Sequence, residues 1–201
     1  MEDHSDKYNN GRKPLNIKGN FIFIMHNQQF LNEYFTNTWC PSTSKYIYSG
    51  YAILDKISES DTVIDVGCGA NPFKGKIKNL TGIDPTDHGA DVVTTIENFE
   101  TQNTYDVALC LGSINFGDQT IIAKQIEKVN SLLSPNAKVF WRLNPGQHDH
   151  NNELCQQIDF YPWSFAELNE FAEQYGFEQI NCAHDTNGKH MRLYAEWTRG
   201  E

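Results

Sequence analysis

Two aspartates and two glycines near the middle of the chain stand at a spacing suited to binding a nucleoside. Asp65 comes near the end of a short β-branched run and is followed by Gly67 and Gly69. Asp84 ends the next short apolar run, and an acid about 20 residues past such glycines hydrogen-bonds ribose hydroxyls in nucleotide-binding βαβ units. The glycines allow positive φ and let a ligand approach the main chain. These residues predict an adenosine-type ligand over two neighbouring strand ends; the alternative is an ordinary tight strand-to-helix turn with an acidic N-cap.

The same residues resemble a known family. Asp65-Val66-Gly67-Cys68-Gly69 resembles the acid-x-Gly-x-Gly signature of the class I S-adenosylmethionine-dependent methyltransferases, and Gly82-Ile83-Asp84 resembles their second motif. Three later stretches are similar to further motifs in the same order: Tyr105–Cys110, Leu132–Ala137 and Trp163–Phe177. The resemblance covers roughly residues 45 to 198, most of the chain. It implies a three-layer α/β Rossmann-like methyltransferase fold, with a seven-stranded, mostly parallel sheet and a terminal antiparallel strand, and an enzyme that transfers a methyl group.

The resemblance also assigns a site for S-adenosylmethionine and its product S-adenosylhomocysteine. The implied cofactor-binding residues are Asp65, Gly67, Cys68, Gly69, Asp84, Pro85, Thr95, Ile96, Leu111, Gly112 and Ser113. The chain departs from the family at its third glycine, which is Asn71 here. The region after strand three reads Val93-Thr94-Thr95-Ile96-Glu97, so we expect adenine to contact backbone and Ile96. The linker Ala70–Lys78 has room for only a stub of the first crossover helix, and Pro72 suits a first helical turn.

The methyl acceptor is expected to lie on the other side of the same sheet edge. Ligands of open α/β sheets bind beyond the carboxyl ends of the strands, where the strand order reverses. We therefore expect the acceptor pocket to form from the segment before Asp61 and from the long loop Asn144–Tyr161. The predicted acceptor-binding residues are Phe116, Asn144 and Tyr161, with Asn115, Arg142 and Trp163 nearby. The sequence does not identify the acceptor, and we expect a small molecule.

Histidines in the long loop suggest two roles. His148 and His150 are candidates for a general base that deprotonates the acceptor. The run His148-Asp149-His150, with His184, Asp185 and His190, is also a conceivable metal site. No His-x3-His or Cys-x2-Cys spacing is present, so we expect no metal.

The chain is expected to divide into three parts. We expect a flexible arm at residues 1–20, a helical lid or packing segment at 21–60, and the S-adenosylmethionine-binding domain at 61–201. Within 21–60 we expect a strand or docking segment at Phe21–Met25, a helix from Gln28 to Thr38, and a second helix from Ser42 or Ser44 to Ile57. The aromatic residues there form either a lid over the acceptor or ordinary core: Tyr34, Phe35, Trp39, Tyr46, Tyr48 and Tyr51.

Local signals place the remaining elements. Asp118 is a predicted N-cap for a helix that Pro135 ends, before a fifth strand over Lys138–Leu143. Ser164 and Glu167 form a capping box for the next helix. Two final strands are expected to join around Asn187-Gly188 as an antiparallel hairpin, which separates methyltransferases from dehydrogenases at this level.

Composition narrows the class of protein. The 201 residues are 39% hydrophobic and 21% charged, which are values typical of a globular domain. A net charge of −10 argues against a nucleic-acid partner. No apolar run approaches the ~18 residues of a membrane span, and no signal peptide opens the chain. Five cysteines without paired spacing favour reduced thiols. We expect a cytoplasmic monomer or homodimer.

Two alternative functions remain open. One is an NAD(P)-binding Rossmann oxidoreductase, which shares the glycines and Asp84 but needs glycine or alanine where Pro72 stands. The other is an S-adenosylmethionine-binding protein without transferase activity. Within the methyltransferases, no Asn/Asp-Pro-Pro-Tyr or Pro-Cys follows strand four, which disfavours enzymes that methylate DNA amino groups or cytosine C5.

Overall fold

The computed structural model describes residues 28–38 and 45–199. In that part of the chain seven strands are present: β1 Thr62–Val66, β2 Asn79–Asp84, β3 Val92–Val93, β4 Tyr105–Leu111, β5 Leu133–Leu143, β6 Phe177–Thr186 and β7 Met191–Arg199. Its α-helices are α1 at 28–37, α2 Gln119–Ser131 and α3 Phe165–Gln174. Short 3₁₀ helices lie at Tyr51–Lys56, Ile96–Asn98 and Glu153–Gln157. The predicted arm at 1–20 and the predicted segment Phe21–Met25 lie outside the described residues.

The strands form one sheet in the order β3-β2-β1-β4-β5-β7-β6. β7 runs antiparallel to both of its neighbours, β5 and β6, and the pairs among the first five strands are parallel. The predicted α/β fold, with its mostly parallel seven-stranded sheet and terminal antiparallel strand, is confirmed. Strand order reverses between β1 and β4, so a crevice opens there at the carboxyl ends of the strands.

The sheet is covered on both faces, which explains why its central strands are almost continuously apolar. Ile122 and Ile126 of α2 and Leu168 of α3 pack with Trp141 on one face. On the other face, Ile53 and Phe73 pack with Leu109 and Phe140. Helix ends are held as predicted: the Asp118 carboxylate accepts from the backbone N–H of Thr120 and Ile121, and Ser164 accepts from the N–H of Glu167 at 3.2 Å.

The predicted second helix from Ser42 or Ser44 to Ile57 is wrong over most of its described length. Residues 47–50 form bends, and Tyr51–Lys56 forms a 3₁₀ helix instead of an α-helix. Gly50 sits at φ −80° and ψ −147°, outside the helical region, so a continuous helix cannot pass through it. The first predicted helix, over 28–38, is confirmed.

Two expectations based on proline are also wrong. No helix forms at 70–78, because Asn71 adopts φ 52° and the segment is a series of turns. The Asn71 amide donates to the Gly89 carbonyl at 3.1 Å and to Asp91 at 3.4 Å, which holds these turns against the loop between β2 and β3. Pro135 does not end α2, which stops at Ser131; it lies inside β5, where the pairing with β4 shifts register.

Candidate cofactor and acceptor site

The glycine turn after β1 joins three strand ends. The backbone N–H groups of Gly67 and Cys68 both donate to the Ile83 carbonyl of β2, at 2.8 and 3.0 Å. Gly67 has φ +69°, and a Cβ there would lie 2.3 Å from the Cβ of Ser113 in the loop after β4. Only glycine fits this position. The turn therefore brings backbone close to the crevice between β1 and β4.

Asp84 is fixed at the carboxyl end of β2. One carboxylate oxygen accepts the Gly69 N–H at 2.8 Å, and the other accepts the N–H and the hydroxyl of Thr86. These bonds hold the carboxylate in one orientation on the wall of a cavity. The oxygen that faces Gly69 accepts one bond in the described structure, so it keeps a lone pair for a ligand hydroxyl.

Two adjoining cavities lie over the crevice. The larger, about 750 Å³, extends over β2 and the start of α2. The smaller, about 340 Å³, extends over β1, β4 and β5. Both are walled in part by Phe35, Gly67, Thr86 and Phe116, so they meet at the glycine turn.

The structure brings all the predicted cofactor-binding residues to these two cavities. Those that line the larger cavity are Gly67, Asp84, Pro85, Thr95, Ile96 and Ser113. Those that line the smaller cavity are Asp65, Gly67, Cys68, Gly69, Leu111 and Gly112. The acceptor candidates Phe116, Asn144 and His150 also line the smaller cavity.

Asp65 places a buried carboxylate on the smaller cavity. Its side chain is 3% exposed, and among the described residues it makes no hydrogen bond or ion pair. Burial raises the pKa of Asp65 to about 7; the charge of Arg142 lowers it and that of Asp84 raises it. A ligand cation beside this carboxylate would favour its ionised form.

Arg142 lies near the end of β5 on the wall of the same cavity. Its Nη2 donates to the Leu111 carbonyl, and its guanidinium carbon lies 4.3 Å from the centre of the Tyr46 ring. Nη1 is buried and has no hydrogen-bond partner in the described part of the chain. Desolvation by burial lowers the pKa of Arg142, whereas the electrostatic interactions with Tyr46, Asp185 and Asp65 raise it.

A second arginine beside the cavity is paired. Arg192 of β7 makes two bonds to the Asp149 carboxylate, at 2.8 and 2.9 Å. His190 also lies 3.3 Å from that carboxylate. These bonds fix Asp149 in the long loop. Burial alone would raise the pKa of Asp149, but the hydrogen bonds and charge of Arg192 lower it.

His150 stands between this pair and α1. Its Nε2 lies 3.4 Å from a guanidinium nitrogen of Arg192, and its Nδ1 lies 3.1 Å from the Tyr34 hydroxyl. Because a guanidinium only donates, Nε2 is the acceptor and the proton of the neutral ring belongs on Nδ1. Burial, followed by the charge of Arg192, lowers the pKa of His150 to about 4. The ring is therefore neutral at pH 7 and only weakly basic.

Three predicted residues are placed differently from the rest. His148 is exposed, has its Nε2 3.0 Å from the Ile158 carbonyl, and lines neither cavity. Tyr161 also lines neither; it is buried against Trp163 and donates to Glu167 at 2.8 Å. Asn144 reaches the smaller cavity, but its amide is bonded to the backbone of Gln147. The roles assigned to them remain predictions.

No metal-binding group emerges among the residues 28–38 and 45–199. No three His, Cys, Asp or Glu side chains there are arranged to hold a metal ion. Asp185, which the sequence placed among possible ligands, is buried and accepts from the backbone N–H groups of Ile47, Tyr48 and Ser49. None of the described helices has the length and apolarity to span a membrane.

Solved structures with the same architecture are numerous, although neither a protein-family model nor a curated protein sequence matches the chain. The 1,6-didemethyltoxoflavin-N1-methyltransferase of Burkholderia thailandensis, solved with S-adenosylhomocysteine, aligns at TM-score 0.70 and 14% identity, over 94% of this chain and 93% of that one. The N-methyltransferase NodS of Bradyrhizobium japonicum aligns at TM-score 0.60 and 15% identity, over 87% and 98%. The magnesium protoporphyrin IX methyltransferase of Synechocystis aligns at TM-score 0.56 and 13% identity, over 94% and 87%. The chain has the class I methyltransferase fold. At these identities the likeness establishes the fold alone.

Among the cavity residues to which the sequence reasoning gave no role of their own are Glu97, Phe160 and Arg192. Glu97 lines the larger cavity and accepts from Gln125 of α2 at 2.6 Å. Phe160 and Arg192 line the smaller one. For Arg192 a signal existed, since a cation interrupts an apolar strand pattern at Met191–Trp197. Glu97 and Phe160 carry no signal that separates them from ordinary loop residues.

Proposed function

We propose that the protein is an S-adenosylmethionine-dependent methyltransferase that methylates a small molecule. The observation that carries this proposal is the arrangement of Asp84 and Gly67. They lie at the ends of adjacent parallel strands, on two cavities that meet over the reversal of strand order. A nucleoside in one cavity would then reach a reactant in the other.

In this proposal the larger cavity receives adenosine. The ribose diol hydrogen-bonds the Asp84 carboxylate, using the free lone pair of the oxygen that faces Gly69 and displacing the Thr86 hydroxyl from the other. Ile96 and Pro85 offer apolar contact to the base. The ammonium group of the methionine part pairs with Asp65, whose carboxylate is buried without a partner among the described residues.

The smaller cavity receives the acceptor. Its walls include Phe35, Tyr46 and Tyr51 from the segment before Asp61, and His150 and Phe160 from the long loop. Methyl transfer from a sulfonium needs an acceptor atom held in line, at near-attack distance and away from water. Aromatic walls supply the shape and exclude solvent, so few special catalytic residues are required. The lowered pKa of His150 would make it a weak general base.

The turns at 70–78 favour S-adenosylmethionine over a dinucleotide. A dinucleotide places its pyrophosphate on the N-terminus of the helix that follows the glycine turn. Here that segment has no helix, and Asn71 occupies a left-handed conformation instead. S-adenosylmethionine carries no phosphate, so it loses nothing from the missing helix end.

The proposed setting follows from charge and composition. With a net charge of −10, the protein is a poor partner for nucleic acid, and we propose a small-molecule acceptor in the cytoplasm. A monomer or homodimer is the expected assembly. The proposed division into an arm at 1–20, a packing segment at 21–60 and a cofactor-binding domain at 61–201 is tested by deletion of residues 1–40. That deletion should abolish transfer while cofactor affinity stays within a few-fold.

Calorimetry distinguishes the candidate functions. We expect saturable binding of S-adenosylmethionine and S-adenosylhomocysteine to the full chain, and none of NAD or NADP. Binding of NAD alone would overturn the proposal in favour of an oxidoreductase. If S-adenosylmethionine binds, a screen of small-molecule acceptors with labelled methyl groups follows. Binding without transfer to any class of acceptor would favour the non-catalytic alternative.

A further inference from the structure

Arg142 is the unusual cation of the smaller cavity. It is 5% exposed, yet it forms no ion pair in the described part of the chain. Burying a charged guanidinium without an opposite charge is unfavourable, because the group loses its hydration. Arg192, by contrast, has the Asp149 carboxylate across two hydrogen bonds. The cavity therefore contains one compensated and one uncompensated guanidinium.

The protein satisfies Arg142 only in part. The Leu111 carbonyl accepts from Nη2, and the face of Tyr46 covers the cationic plane. Nη1 is buried and lacks an acceptor among the described residues. Asp65 influences Arg142 through its charge but does not contact it as an ion pair. Nη1 is thus left for an acceptor that arrives with a ligand.

The chemistry of that ligand group follows from the donor. A planar guanidinium matches a carboxylate in geometry and charge. The surrounding walls, Tyr46, Phe116 and Phe160, are aromatic and suit a planar ring. Resting on the proposed function, we infer that the methyl acceptor is an aromatic carboxylic acid whose carboxylate binds Arg142.

The position of Arg142 favours the acceptor over the cofactor as the source of this carboxylate. Asp84 and the larger cavity lie over β2, on one side of the strand-order reversal. Arg142 lies in β5, on the other side, and it shares its cavity with His150 and Phe160 of the long loop. The guanidinium also bonds to the Leu111 carbonyl at the end of β4, so the methionine carboxylate of the cofactor is the other source of an anion, and the experiment distinguishes the two.

Benzoate and benzamide are the matched probes, since they differ in the carboxylate alone. Each is titrated by calorimetry or ligand-observed NMR into the full chain saturated with S-adenosylhomocysteine. The test variants are Arg142→Gln and Arg142→Lys. The lysine variant keeps the positive charge and serves if Arg142→Gln folds poorly. Lys138→Gln, at an exposed position of the same strand, is the control. Binding of S-adenosylhomocysteine and of 5′-methylthioadenosine, which lacks the amino-acid part, is measured for every variant.

We expect benzoate to bind the wild type and Lys138→Gln, and benzamide to bind neither measurably. Arg142→Gln should weaken benzoate roughly 10- to 100-fold, the loss for a hydrogen-bonded charge, and Arg142→Lys should weaken it less. S-adenosylhomocysteine affinity should stay within about threefold in both, a shift of about 0.65 kcal/mol or less. Equal binding of benzoate to Arg142→Gln, or none to the wild type, overturns the inference. So does a loss of S-adenosylhomocysteine affinity that spares 5′-methylthioadenosine, because the carboxylate would then be the cofactor's. A wild type that binds no S-adenosylhomocysteine refutes the proposed function itself.

Discussion

Arg142 lies over the Tyr46 ring, with the guanidinium carbon 4.3 Å from the centre of the phenol ring. The two residues are distant in sequence: Tyr46 lies in the segment before β1, and Arg142 lies in β5. Both residues line the smaller cavity. The leading segment is therefore a wall of the candidate acceptor pocket, and what holds that segment in place controls the shape of the pocket.

Asp185 of β6 is the residue that anchors this wall. Its fully buried carboxylate accepts from the N–H groups of Ile47, Tyr48 and Ser49, and from the Ser49 hydroxyl at 2.6 Å. Asp185→Asn should lower the free energy of unfolding by about 1.5–3 kcal/mol, because a charged acceptor is lost and an NH₂ group faces other donors. Urea denaturation measures this loss.

The same variant should also loosen the wall locally. Hydrogen exchange at residues 46–50 should accelerate in Asp185→Asn more than exchange in β4, because the cavity wall loses its bonds to β6. Asp61→Asn is the control, since Asp61 accepts one N–H, from Ser58, in a surface turn. Unchanged exchange at 46–50 would show that packing of Tyr46, and not Asp185, holds the segment.

Gly67 is expected to be far less tolerant of substitution than Gly69. Both have positive φ, so alanine is strained at either position. At Gly67 the added methyl would also meet Ser113 at 2.3 Å, whereas at Gly69 it meets nothing within 4 Å. Gly67→Ala should therefore lose about 1–3 kcal/mol more stability than Gly69→Ala, the usual cost of overpacking. Equal losses in denaturant titrations of the cofactor-free protein would mean that the β4 loop moves away without cost.

Local chemistry explains which parts of this site were visible in the sequence. Asp65, Gly67 and Asp84 were predicted because a tight turn and an acid at a strand end are encoded within a few residues. The sheet order was implied by the family resemblance, and the alternation of strands and helices with the final hairpin supported it. The turn and the acids depend on neighbours in sequence, which a single sequence displays.

The errors share a different cause. Residues 47–50 bend because Asp185, more than 130 residues away, accepts the N–H groups of Ile47, Tyr48 and Ser49. Segment 70–78 turns because Asn71 reaches Gly89 and Asp91 instead of starting a helix. In both places a helix pattern existed, and a long-range carboxylate or amide overrode it. Burial of Arg142 and Arg192 likewise depends on tertiary packing, which residue type does not reveal.

Asp84 provides a direct test of ribose binding. Asp84→Ala should weaken S-adenosylmethionine binding by about 1.5–3 kcal/mol, the range for a hydrogen bond to a charged group. Part of this loss reflects the Gly69 N–H, which also depends on Asp84. Asp87→Ala is the matched control, because Asp87 is an exposed acid three residues further on that lines neither cavity. Calorimetry showing the wild-type affinity in folded Asp84→Ala would remove Asp84 from the cofactor site.

Asp65 should make cofactor affinity and protein stability respond to pH in opposite directions. Burial raises its pKa from 3.8 to about 7 in the folded, cofactor-free protein. The folded state therefore retains a proton that the unfolded state has lost, so the contribution of Asp65 to stability is full below about pH 4 and is lost as pH rises through about 7. Cofactor binding requires the ionised carboxylate for the methionine ammonium, so affinity should fall as pH is lowered from 8 to 6. Asp65→Asn should remove both dependences, because an amide does not titrate. Denaturant titrations and calorimetry at pH 6, 7 and 8 measure the two effects, and an affinity of the wild type that is flat across this range would mean that Asp65 does not face the ammonium group.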